Sequence, residues 1–171
     1  MKPVSTLRTL ILAALPVAGL LLPCDAWAGC TDAPGPGVDW RRCRLDRQEL
    51  PGAELVGAIL SGARLAGANL AGANLAGIEA GRVVFIEANL AGANLAGAML
   101  ADADLSRADL SRASLKGASL RDARLQSAVL READLTGARL DRADLFRADL
   151  SLALWVDGRR RCAEGSIGAC H

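Results

Sequence analysis

From Trp40 to Trp155 a large apolar residue falls on nearly every fifth position, and the register never slips. Of these 24 positions, 20 are Leu; the others are Trp40, Ala80, Phe85 and Trp155. Two residues before each lies a second, smaller position, Ala in 19 of the 24 cases, with Val38, Cys43, Gln48, Ile78 and Val83 as exceptions. The inward spacing therefore alternates two, three, two, three. On an α-helix a step of five advances about 140° net, so the leucines would wind around every side. On a flat strand five is odd, so they would alternate between faces. An Ala and the Leu two places later share one face of an extended segment. The next pair reaches the same interior only if the chain turns a corner between them. Gly62, Gly67, Gly72, Gly92 and Gly97 stand on the corner side and suit such a bend. The spacing predicts a tube with one side per five residues. Only 3% of the chain is aromatic and Tyr is absent, so Leu and Ala must build the core.

The first 28 residues read as a secretory signal peptide. Lys2 and Arg8 give the positive start and Leu10 to Leu22 the apolar segment, too short for a comfortable membrane span. Ala26-Trp27-Ala28 is an A-x-A cleavage site that places the mature start at Gly29. A second reading takes Ala28-Gly29-Cys30 as a lipoprotein box with Cys30 lipidated; Trp27 and the intervening Asp25 count against it. No later segment is apolar enough to span a membrane. Cleavage lowers Lys plus Arg from 20 to 18 by removing Lys2 and Arg8, and Asp plus Glu from 19 to 18 by removing Asp25. The mature chain is formally neutral, so no bulk field favours nucleic acid.

Cys24 leaves with the signal, and four cysteines remain: Cys30, Cys43, Cys162 and Cys170. An even count in an exported chain reads as disulfides, with three pairings open to it. Proximity favours Cys30–Cys43 and Cys162–Cys170, one loop at each end of the repeat. Zinc does not fit, since His171 is the only histidine and no C-x-x-C occurs.

Segments such as Ala103-Asp104-Leu105-Ser106-Arg107 and Ala148-Asp149-Leu150 resemble the pentapeptide-repeat family, whose pattern is A-(D/N)-L-x-x. The resemblance covers residues 38–155 and implies an all-β fold, a right-handed quadrilateral β-helix with four pentads per coil. Twenty-four pentads then make about six coils, stacked over roughly 29 Å. A coil period of 20 puts Leu45, Leu65, Phe85, Leu105, Leu125 and Leu145 in one interior column. Residues 29–37 read as an irregular leader. Residues 156–171 resemble the disulfide-loop tail of other exported members of the family and are expected to cover the last coil.

One coil departs from the pattern: Ile78 and Val83 replace Ala, while Ala80 and Phe85 replace Leu. Ala80 removes three carbons and Ile78 restores three, as close packing requires. Val84 and Ile86 should face outward there and form a candidate contact patch. The outside also changes along the repeat. Residues 51–100 carry five charged groups, and residues 101–150 carry 18, nine of each sign. The neutral half is a candidate protein-docking wall on which Asn69/Asn89 and Asn74/Asn94 should stack as amide ladders. On the charged half, Arg121 and Asp141 should sit one coil apart, as should Arg124 and Asp144.

Catalytic chemistry finds no support in these residues. No base accompanies a nucleophile, the carboxylates sit among arginines at outward positions, and the glycines form neither phosphate-binding fingerprint. No catalytic, metal or cofactor site is assigned. The reading is an exported, non-enzymatic scaffold for an unknown protein partner. A second reading, a DNA mimic such as the family members that protect gyrase, needs a negative charge that this chain lacks. A surface binder of ice or glycan is weaker still: the mature chain has only Thr31 and Thr136, and Phe146 is the one outward aromatic.

Overall fold

The protein is described by a computed structural model covering residues 30–171. The expected signal peptide and its cleavage residues Ala26, Ala28 and Gly29 lie outside the described residues. Between Asp39 and Leu154 the chain is a β-helix held by parallel bridges between residues 20 apart. The bridges form four columns. One runs Asp39, Ile59, Glu79, Met99, Ser119, Arg139; the others start at Arg44, Glu49 and Glu54. Each bridge is a single residue wide because the chain turns after every five residues.

The pentad Leu90–Asn94 shows why the pattern works. Leu90 N–H donates to Asp109 O at 2.7 Å and Gly92 N–H to Ser111 O at 2.8 Å, both in the following coil. Asn94 N–H reaches back to Ala73 O at 2.9 Å, and Ala93 N–H closes the corner on Leu90 O at 3.0 Å. One donor is left over, the N–H of Ala91, and the Asn89 side chain accepts it at 3.1 Å. Every backbone donor of the pentad thus has a partner, which is the requirement that buried or packed backbone imposes. The Asn or Asp of the repeat is there to cap the corner. Asn94, Asp104, Asp109, Asp134, Asp144 and Asp149 each make the same contact two residues on.

The corner is a four-residue turn with positive φ at its third residue, 67° at Gly92. That is the type II geometry, for which glycine is the unstrained choice. Among the described residues, thirteen non-glycine residues also sit at positive φ, including Arg107, Arg112, Glu132 and Arg142. Each such residue costs roughly 1–2 kcal/mol relative to its preferred backbone region. Tertiary context overrides the local preference, since the bridge register admits no other corner.

Both inward positions of each pentad fill the lumen. Of the large side chains, Leu55 through Leu75, Leu90 through Leu125 and Phe85 are fully buried. In the deviant coil Ile78, Ala80, Val83 and Phe85 are all 0% exposed. The lost and gained carbons are therefore accommodated within one packed layer.

The two ends are closed differently. Cys30 is bonded to Cys43 and so ties the leader across the first coil. Trp40 is buried there, and its Nε1 finds no hydrogen-bond partner. Gln48 departs from the inward expectation: it is exposed, because no earlier coil covers it. At the other end Cys162 is bonded to Cys170. Antiparallel bridges lay the tail over two columns only, Ile167 on Asp149 and Arg161 on Leu154. Arg131 fastens it, with its guanidinium on Glu164 at 2.6 Å and on Asp149 at 3.2 Å. The buried Ser151 hydroxyl donates to Asp149 and accepts Gly165 N–H at 3.0 Å. The tail thus lies over part of the last coil. The Arg139 and Asp144 columns end uncovered, and Leu140, Ala143 and Leu145 are only half-buried.

Candidate interaction surface

One outward residue of each pentad, the one just before the large inward residue, lies in one of the four columns, so the surface is a set of ladders with a 20-residue step. Val84 stands between Arg64 and Asp104 in its column. Ile86 lies on the adjoining corner. Both are half-buried by their neighbours rather than projecting. Among the described residues, the large apolar side chains that do project are Val56, Met99, Phe146 and Ile167. They are dispersed along the rod, except that Phe146 and Ile167 share its C-terminal end. Phe146 is the most exposed, at 65%, and the Arg147 guanidinium lies 5.7 Å from its ring centre. The sequence marked Phe146 as outward. Met99 was missed, although its position in the Glu79 and Ser119 column would have found it.

On the neutral half one amide ladder forms and the other does not. Asn94 donates to Asn74 at 3.1 Å, and Asn74 donates to Glu54 at 2.9 Å. The Asn69 side chain instead donates to Glu49 at 2.7 Å and accepts Ala71 N–H at 3.2 Å. Capping the corner occupies the Asn69 oxygen, and Asn89 caps its own corner in the same way.

The charged half is neutralised coil against coil. Arg142 grips Asp122 with two bonds of 2.6 and 2.7 Å. Arg107 meets Glu87 at 2.7 Å and Arg112 meets Glu132 at 3.2 Å. Arg121 does reach Asp141, at 3.9 Å. Arg124 and Asp144 lie one coil apart and are bridged, as expected, but they form no ion pair. Arg124 turns to Asp104 at 3.6 Å, and Asp144 instead accepts from Gln126 at 2.6 Å. These groups are exposed, and such pairs contribute well under about 1 kcal/mol each.

The same contacts set the acid behaviour. At Asp149 partial burial raises the pKa, but hydrogen bonds from the Ser151 hydroxyl and N–H and from Arg131 outweigh it and hold the carboxyl below its ordinary value. Asp144 is lowered by Gln126 and by Phe146 N–H, and Asp122 by Arg142. A depressed carboxylate contributes stability that is present above the unfolded value, 3.8, and is lost as pH falls through the folded value. The melting temperature should therefore hold level near neutrality and fall below roughly pH 4. Asp149→Asn retains an oxygen to cap Ser151 N–H but removes the charge facing Arg131. Melting curves taken across the acid range should show a shallower acid decline for this variant, and an identical slope would remove Asp149 from the account.

The family model for pentapeptide repeats matches in eight copies, over residues 37–65, 81–117 and 113–151. Among solved structures, the chain is similar to HetL, a pentapeptide repeat protein involved in heterocyst differentiation regulation in the cyanobacterium Nostoc. The identity is 35% and the TM-score 0.39, over 71% of this chain and 63% of that one. The chain thus spans less than two thirds of that relative's length. It is also similar to a pentapeptide repeat protein of the Arabidopsis thaliana thylakoid lumen, at 28% identity and TM-score 0.34, covering 66% of this chain and 71% of that one. QnrB1, a plasmid-mediated fluoroquinolone resistance protein, matches at 17% identity and TM-score 0.40, over 69% of this chain and 72% of that one. No curated protein sequence matches. With the family pattern matched over more than half of its length, the chain belongs to the pentapeptide-repeat family.

Proposed function

We propose that this protein is an exported, non-enzymatic scaffold: a right-handed, four-sided β-helix of about six coils that presents a flat face to a protein partner. The carrying observation is the unbroken 20-residue bridge register from Asp39 to Leu154. Such a frame fixes its outward side chains at set spacings and gives a partner a rigid surface with little ordering cost. The signal-like start, with Ala26 and Ala28 before Gly29, and the two disulfides support export to an oxidising compartment, periplasmic or extracellular. Anchoring through a lipidated Cys30 competes with the Cys30–Cys43 bond, since a thioether-linked lipid uses the same sulfur. Residues 51–100 are the proposed docking wall, with Val84 and Ile86 at its edge.

A photo-crosslinking residue placed at position 79 should capture one defined envelope protein in intact cells. Asn74→Arg with Asn94→Arg should abolish that capture, and Arg112→Gln on the charged half should preserve it. Capture that is indifferent to both changes removes the docking wall. Val84→Asp with Ile86→Asp tests the deviant coil. The pair should reduce capture, and unchanged capture would leave that coil as packing alone.

A further inference from the structure

We propose that the corner formed by Arg41, Arg42, Ser61, Gly62 and Arg82 is a binding site for a phosphate-type dianion. These residues line a cleft of about 420 Å³ near the N-terminal end of the rod. Three guanidinium groups border it. Arg41 is already engaged by Asp39, with bonds of 3.0 and 3.1 Å from Nε. Among the described residues neither Arg42 nor Arg82 has a carboxylate within ion-pair distance.

At several other corners an arginine does meet an acid one coil away: Glu87 with Arg107, Arg112 with Glu132, Asp122 with Arg142. Here the succession is Arg42, Gly62, Arg82, Asp102, and Asp102 forms no ion pair with Arg82. The place where an acid would neutralise two arginines is held by a residue with no side chain. A Cβ at Gly62 would lie 3.5 Å from Arg42 Cγ, so the Arg42 stem leans over this gap towards the coil of Arg82. The corner lacks a second acceptor as well. Ile59 replaces the Asn or Asp that caps other corners, and the N–H of Ser61 has no protein acceptor among the described residues.

Two uncompensated guanidinium groups and a free backbone N–H around one cleft are a donor set for an oxyanion. Two positive charges match a dianion better than a carboxylate, and the planar guanidinium fork suits phosphate oxygens. The site is open to water, so binding in the millimolar range is expected.

The test uses the mature chain and inorganic phosphate, at mildly alkaline pH and at ionic strength matched with chloride. Phosphate at about 10 mM should raise the melting temperature and shift the amide resonance of Ser61. Acetate should need at least about tenfold more. Arg42→Gln with Arg82→Gln should lose the response, and Arg107→Gln should keep it. Gly62→Asp places an acid between the two arginines, and Asp tolerates positive φ better than most residues. That variant should fold at least as stably as the parent and no longer respond to phosphate. An equal response in Gly62→Asp or in the double variant, an equal response to acetate, or no response in the parent each overturns the proposal.

Discussion

Leu110→Asp should abolish the single cooperative unfolding transition of the rod. Leu110 is 0% exposed and stands in the middle of an interior column between Leu90 and Leu130. Its backbone N–H already bridges to Val129 O at 2.7 Å, so the side chain cannot turn outward without breaking the register. An ionised carboxylate there would have no partner, and protonating it leaves a polar group among leucines. Loss of the buried apolar group alone, as in Leu110→Ala, should cost about 2–5 kcal/mol. The acid adds a desolvation penalty to that loss, for a total above roughly 5 kcal/mol. In a solenoid each coil contacts only its neighbours, so the damage should begin locally. Amide exchange should rise first around residues 90–130 and spread outward under mild denaturant. The exposed corner residue Ser127 supplies the control, since Ser127→Asp introduces the same charge and should change the midpoint little. A Leu110→Asp chain that melts like the control would mean that position 110 does not face the lumen.

The tube was legible because its signal is redundant. Twenty leucines at one spacing exclude both ordinary periodicities, and no single substitution, not even Ala80, disturbs the register. Column membership followed from the 20-residue step, which is why Arg121 and Asp141 were found as neighbours. What the step does not convey is choice among partners within reach. Arg124 has Asp104 on one side and Asp144 on the other, and the decision turns on Gln126 and on corner capping, which are local geometry. Asn69 was expected to join a ladder, but its oxygen serves Ala71 N–H. The repeat's Asn or Asp reads from sequence as decoration, yet it accepts the one backbone N–H that the coils leave over. Exposure at the ends was equally hidden: Gln48 follows the inward rule in sequence and lies in water, because burial needs coils on both sides. The arginine-lined corner was invisible for a related reason. Arg42, Gly62 and Arg82 are far apart in the chain, and only the register makes them consecutive.

Removing residues 156–171 should convert the chain into one that self-associates. In the intact protein Leu150 N–H bonds to Ser166 O at 2.8 Å, Leu152 N–H to Cys162 O at 3.1 Å and Trp155 N–H to Arg160 O at 2.8 Å. Truncation frees these groups and uncovers Leu150, Ala153 and the polar Ser151, all buried beneath the tail. The adjoining Arg139 and Asp144 columns already end without a following strand. The whole C-terminal edge would then be a row of unsatisfied donors and acceptors of the kind that recruits another chain. The tail also occupies space. Ile167 and Arg161 sit on Asp149 and Leu154, where the first coil of a second copy would have to lie to continue the bridges. The covering is therefore partial but sufficient to block a straight continuation of the rod. Light scattering after size exclusion should show concentration-dependent oligomers for the truncated mature chain and a single small species for the parent. Cys162→Ser with Cys170→Ser separates the bond from the covering it holds. That variant retains the Arg131–Glu164 contact at 2.6 Å and the backbone bonds, so it should stay small at moderate temperature and lose its tail first on heating. If the truncated chain runs as a stable species of parental size, the edge is not adhesive, and the tail serves only to bury Leu150 and Ala153.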